Sequence, residues 1–137
     1  MTPADLAHAH ARAFYQSRPW TEGEFADLLN SDHVHVIGTT DCFAVFQLVT
    51  DETEMLTIAT SPQLRRQGLA RDRIHIWLSM AIRQGATRAL LEVAADNSAA
   101  IALYDRCGFF PCGRRKGYYR RPDGEMVDAI MMERALP

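Results

Sequence analysis

The stretch from Glu54 to Val93 constrains the fold most, because its hydrophobic pattern changes period twice. Glu54 to Thr60 reads as a strand that Ser61-Pro62 brings to an end. From Leu69 to Gln84 the apolar residues Ala70, Ile74, Trp77, Leu78 and Ala81 fall on one helical face, and Gly85 supplies the stop. Arg88 to Val93 is a mostly apolar run of strand length, which predicts a strand buried on both faces. Strand, helix and strand in that order form a crossover unit, and crossovers pair their strands in parallel.

The flanks add helices in front and strands on either side. Thr2-Pro3 reads as an N-cap and first helical position, opening a helix to about Tyr15. Thr21-Glu22-Gly23-Glu24 is a capping box for a second helix through Leu29. His33 to Ile37 alternates as a strand, Gly38 to Asp41 turns, and Cys42 to Val49 returns. Asn97 to Cys107 predicts a short helix closed by Gly108. Phe109-Phe110 starts a further strand, and Val127 to Met132 is the last, after the Pro122-Asp123-Gly124 turn. The class is therefore mixed α/β or α+β around one central sheet.

The length of 137 residues fits one domain spanning 1–137, with no repeat or linker to divide it. A hydrophobic share of 47% against 23% charged residues argues against disorder. No apolar run approaches the roughly 18 residues of a membrane span. Asp5 interrupts the N-terminal stretch, so no signal peptide is expected. Cys42, Cys107 and Cys112 are odd in number and lack CxxC spacing, which predicts core-filling thiols in a reducing, cytoplasmic setting. A net charge of −2 excludes a generally polycationic chain and leaves room only for a local basic patch.

Four segments are candidates for chemistry. Arg65-Arg66-Gln67-Gly68-Leu69-Ala70 lies where a loop enters the amphipathic helix. Unpaired N–H groups and the positive end of a helix dipole there suit a phosphate, with Arg65, Arg66 and Arg71 as counter-charge. A charged turn that merely caps the helix has the same residues. Glu92 stands within an apolar strand, sharing a face with Leu90 and Ala94. A carboxylate there must be paired, protonated or open to a cleft, and desolvation would make it a base near neutral pH. Asn97 and Tyr104, two helical turns apart, project from one side of their helix; a cap and a core tyrosine are the plain alternative. Arg114 to Arg121 interleaves five basic residues with Tyr118 and Tyr119. It can meet nucleic acid, line a peptide groove, or form a solvated hairpin. His8, His10, His33 and His35 lack partners for a metal set, so a solvated or locally hydrogen-bonded role is expected, and no metal.

Taken in order, these segments resemble the Gcn5-related N-acetyltransferase (GNAT) superfamily. The resemblance rests on Leu56 to Pro62, Arg65 to Ala70, Leu91-Glu92-Val93, Asn97 to Tyr104 and Gly108-Phe109, and it covers nearly the whole chain. Within the superfamily the chain is similar to the bacterial enzymes that acetylate the N-terminal alanine of a ribosomal protein. Arg18-Pro19-Trp20-Thr21, Gly117-Tyr118-Tyr119 and Asp128-Ala129 add to that likeness.

The resemblance implies a mostly antiparallel sheet of about six strands with a splayed parallel pair and four flanking helices. It implies acetyl-CoA as cosubstrate, with the pantetheine arm along Ile58, Ala59 and Thr60 and the pyrophosphate on Arg66, Gln67, Gly68, Leu69, Ala70 and Arg71. Asn97 would hydrogen-bond the pantetheine side. Glu92 would be the general base for the amine and Tyr104 the general acid for the leaving thiolate. The implied acceptor is the N-terminal alanine of protein eighteen of the small ribosomal subunit. Ala94 and Asp96 depart from the arginine and serine common in those enzymes, and Ala70 replaces the commoner glycine. A small-molecule amine as acceptor, and a non-catalytic RNA-binding module on the same fold, are the alternatives. GNAT domains usually open with a strand, and only Met1 precedes Thr2-Pro3, so that strand is expected to be absent or vestigial, leaving a sheet edge uncovered.

Overall fold

The computed structural model describes residues 1–13 and 18–137. The elements are α1 (Pro3–Ala13), α2 (Glu22–Leu29), β1 (Val34–Thr39), β2 (Cys42–Val49), β3 (Glu52–Thr60), α3 (Leu69–Arg83), β4 (Arg88–Ala94), α4 (Ser98–Arg106), β5 (Phe110–Arg120) and β6 (Met126–Ala135). A 3-10 turn, Pro62–Leu64, follows β3. The end expected for the first helix, Phe14 and Tyr15, lies outside the described residues.

Local chemistry accounts for the helix starts. The Thr2 hydroxyl accepts from Asp5 N–H while the Asp5 carboxylate accepts from Thr2 N–H. Thr21 and Glu24 close the same reciprocal box at α2. Each satisfies donors that the first helical turn leaves unpaired.

The six strands are ordered β1-β2-β3-β4-β6-β5, and among them β3–β4 is the parallel pair. The crossover read between Thr60 and Arg88 is the cause, with α3 as its helix. The edges are β1 and β5. No helix among the described residues is long and apolar enough to cross a membrane.

The two faces of the sheet are covered differently. On one, α3 and α4 bury Trp77, Leu78 and Tyr104 against Phe46, Met55, Leu91, Phe109 and Met132. Trp77 is fully buried, and its indole N–H donates to Thr53 Oγ1 at 2.8 Å; the Thr53 hydroxyl donates in turn to Gln47 C=O, also at 2.8 Å. On the other face α1 and α2 bury Leu6 and Phe25 against Phe43, Val45 and Ala59, over β1, β2 and β3. That limited cover corrects the expectation for β4. Its Ala89, Leu91 and Val93 are buried, but Leu90, Glu92 and Ala94 are only half-buried. Among the described residues, the core cluster that α1 and α2 form includes no residue of β4.

A bulge sets the orientation of β3. Val45 pairs with Thr57 and the next residue, Phe46, with Met55, so Leu56 is an extra residue in β3. An inserted residue reverses the alternation of side chains. Thr53 and Met55 therefore face α3, whereas Thr57 and Ala59 face α1. Glu52 and Glu54 are left on the open face.

Two smaller readings are sharpened. Of the two roles expected for His10, solvated or locally hydrogen-bonded, the structure shows a wholly buried, hydrogen-bonded ring; its Nε2 lies 2.9 Å from Thr57 Oγ1 and its Nδ1 accepts the Trp20 N–H at 3.0 Å. The Trp20 donor fixes Nδ1 as the bare nitrogen, so Nε2–H donates to Thr57. Cys42 and Cys107 are buried as expected of filling thiols, but Cys112 is exposed on β5; all three are free.

Candidate functional site

The parallel pair is short. β3 and β4 pair from Glu52↔Arg88 only to Met55↔Leu91. Beyond that rung β3 stays with β2 as far as Thr60↔Cys42, and β4 stays with β6 as far as Ala94↔Ala129. The strands diverge at the bulge, and the facing backbone edges of Thr57–Thr60 and Glu92–Ala94 have no strand partner. An extended ligand with amide groups can pair with such an edge as an added strand would. Ile58, Ala59 and Thr60 line it on the β3 side.

The chain leaves this opening through the Arg65–Ala70 loop. Arg66 (φ 65°) and Gly68 (φ 79°) are both left-handed, and Gly68 is the N-cap of α3 without a side-chain cap bond. A left-handed arginine costs on the order of 1–3 kcal/mol, so the surroundings must hold it. Arg65 does part of that by donating to Ala13 C=O at 2.7 Å, tying the loop to α1. The first N–H groups of α3 and the exposed Arg66 and Arg71 guanidinia meet at one helix end. Such an end attracts a phosphate-bearing group.

On the other side of the opening, Asn97 caps α4 by accepting the Ala100 N–H at 3.2 Å. Tyr104 is buried, edge-on to Phe109 at 6.4 Å between ring centroids. Burial raises its phenol pKa well above the ordinary value, reinforced by Tyr119 and Cys107, so the hydroxyl stays protonated and available as a donor.

Glu92 lies on the half-buried face of β4. Its Oε1 is 3.1 Å from Nε of Arg115 on β5, with the carboxylate side chain 19% exposed and the guanidinium 50% exposed. The Arg115 guanidinium also rests 5.2 Å from the Tyr118 ring centre. Burial, then the negative charge of Glu92, pushes Tyr119 up to about 12. Tyr119 thus lies within electrostatic reach of both Glu92 and Tyr104, the base and acid candidates on two different elements. Glu54 belongs to the same neighbourhood: its carboxyl is held above the usual range by burial and by Glu92, against the lowering effect of Arg115.

The basic segment is strand β5 and the turn that follows it. Three of its five cations meet carboxylates: Arg114 with Asp128 at 2.7 Å, Arg115 with Glu92, and Arg121 with Asp96. Asp128 also accepts the Gly117 N–H at 2.9 Å. The remaining two, Lys116 and Arg120, are exposed.

Of this neighbourhood, Glu54 is absent from the sequence-derived candidates, and Arg115 and Tyr119 entered only as members of the Arg114–Arg121 segment. Arg115 was legible only as one of a run of cations, and Tyr119 as one of two tyrosines. Glu54 carried no signal, because only the Leu56 bulge turns it toward Glu92. No group of three His, Cys, Asp or Glu among the described residues is placed to hold a metal.

Comparison with known proteins bears on the family and the fold. Residues 3–109 match the model of the acetyltransferase (GNAT) family. The [ribosomal protein bS18]-alanine N-acetyltransferase of Escherichia coli K12 is 37% identical over 123 residues, covering 87% of this chain and 81% of that protein. The crystal structure of the E. coli ribosomal-protein-S18-alanine N-acetyltransferase superimposes with a TM-score of 0.88 at 33% identity, over 98% of this chain and 87% of that one. Arabidopsis thaliana NAA60, solved in complex with acetyl-CoA, shares the fold at 18% identity and a TM-score of 0.83, over 98% and 95% of the two chains.

Proposed function

The chain belongs to the acetyltransferase (GNAT) family and is an N-acetyltransferase that uses acetyl-CoA, and from that premise we propose that residues 1–137 form a single domain acetylating the N-terminal alanine of ribosomal protein bS18 in the cytoplasm. The observation that carries the reading is the parting of β3 and β4 after Met55↔Leu91, with Glu92 on the strand that leaves.

The opening suits acetyl-CoA in three ways. The free edge at Ile58, Ala59 and Thr60 offers backbone partners to the amide-bearing arm. The loop and first turn at Arg66, Gln67, Gly68, Leu69, Ala70 and Arg71 offer N–H groups and positive charge to the pyrophosphate. Asn97 keeps its amide group at the α4 end of the opening while its carbonyl caps the helix.

An α-amine arrives mostly as ammonium near neutral pH, since its ordinary pKa is about 7.7–8.0. Glu92 takes a proton from it. The neutral nitrogen then attacks the thioester carbonyl, forming the C–N bond as the C–S bond breaks, and the second proton that the nitrogen must shed passes to water. Tyr104 donates its phenolic proton to the departing thiolate. Positioned acid–base groups of this kind contribute on the order of 10² to 10⁴ in rate. Acetyl passes directly between substrates, so no enzyme nucleophile is required.

Thiol release from acetyl-CoA in the presence of a peptide beginning with the bS18 N-terminal alanine tests this. The peptide should be turned over and gain one acetyl group at its α-amine. A wild-type rate no higher than that of Glu92→Gln removes Glu92 as base. Transfer to small amines but not to the peptide would overturn the acceptor.

A further inference from the structure

Glu54 is a half-buried carboxylate with no hydrogen bond or ion pair among the described residues. It stands opposite Leu90 in the parallel register, one rung before the strands part. The Leu56 bulge puts it on the face that carries Glu92. With Gln47, Asp51, Glu52 and Leu90 it lines a cleft of about 310 Å³ by the β2–β3 turn, and Glu92 lies two residues beyond Leu90 on the same face of β4. Of the charges across the sheet, Glu92 and Arg115 act on its carboxyl most, and these two are already bound to each other.

That pairing poses a problem for an incoming ammonium. Arg115 compensates the charge of Glu92, so a cation approaching the pair alone meets little net attraction. Glu54 restores one negative charge at the same mouth, matching one ammonium. Resting on the acetyltransferase reading above, we propose that Glu54 is a specificity-determining residue that draws the acceptor's ammonium to Glu92 and selects cationic amines over neutral acceptors. Half-burial strengthens the attraction, because a charge pair screened by little water is worth several times its value in bulk solvent.

The residue's role is to bind the acceptor, so its signature is a split between kinetic constants. In Glu54→Gln the acceptor KM should rise roughly tenfold. The fall in kcat should be much smaller than that rise, with the acetyl-CoA KM unmoved. Glu54→Asp, which keeps the charge, should recover most of the loss. Added salt should raise the wild-type acceptor KM and affect Glu54→Gln far less. Calorimetric titration of the alanine-first peptide into protein saturated with CoA supplies a reading independent of turnover, with weaker binding expected for Glu54→Gln. An unchanged acceptor KM and affinity in Glu54→Gln, or an equal rise in the acetyl-CoA KM, overturns the proposal. Should wild type accept a small amine and not the peptide, the bS18 reading fails while Glu54 is still judged by the KM for that amine.

Discussion

The two faces of β4 do opposite work within seven residues. Ala89, Leu91 and Val93 point into the core beneath α3 and α4, where Trp77 and Phe109 stack at 5.9 Å between centroids. Leu90, Glu92 and Ala94 point to the side that α1 and α2 leave open. A strand in a sheet covered on both sides would give Glu92 no route to water or substrate. Partial cover on one face is what lets one strand both anchor the fold and keep a carboxylate in reach of solvent.

Adjacent substitutions should separate these roles. Leu91→Ala should lower the unfolding free energy by about 2–5 kcal/mol in denaturant titrations, since the site is closely packed and cannot collapse fully. Glu92→Gln should leave that midpoint nearly in place while reducing kcat by a factor on the order of 10² to 10⁴. Loss of stability in Glu92→Gln comparable with Leu91→Ala would show that the open face holds the fold together too.

The covered half of the open side makes a second contrast, through His10. Burial lowers its pKa from 6.5 to about 4, so the folded state holds it neutral between Trp20 and Thr57. The unfolded chain binds that proton near pH 6.5 and the native chain only near 4. Stability from this residue is therefore complete above about pH 6.5 and is lost as pH falls toward 4, by about 3 kcal/mol in all. His10→Gln should flatten the dependence of unfolding free energy on pH across that window. A slope equal to wild type would place the acid sensitivity elsewhere.

What the sequence disclosed follows the same division. The N-cap at Thr2, the capping box at Thr21, the face of α3, and the strand–helix–strand order are short-range patterns, and all were legible. So was the placing of Leu90, Glu92 and Ala94 on one face, since alternation is local. How much of that face would be covered was not, because cover depends on how far α1 and α2 reach across the sheet. The partners of Glu92 were hidden for a related reason. Arg115 arrives through the β5–β6 register, which skips residues between Arg115 and Tyr119. Glu54 arrives through a bulge that no residue type at Leu56 announces.

The smallest effect is expected from the most conspicuous ion pairs. Arg88, on the same face of β4 as Glu92, binds Glu52 of β3 at 2.9 Å and Glu133 of β6, spanning three strands. All three side chains are between 39% and 46% exposed, so water competes for every contact. Ordering two or three long side chains offsets most of what little Coulomb attraction remains. Arg88→Ala should hence shift the thermal midpoint only slightly, and that shift should vanish in about 1 M salt, where charges are screened within a few ångströms. The acceptor KM offers the sharper reading. Arg88 lies at the closed end of the parallel pair, three rungs before the strands separate, and its removal should leave acetyl transfer close to wild type. A large loss of activity would mean that the acceptor reaches along the sheet past Leu90, and that the open face binds over far more of its length than the stretch beside Glu92.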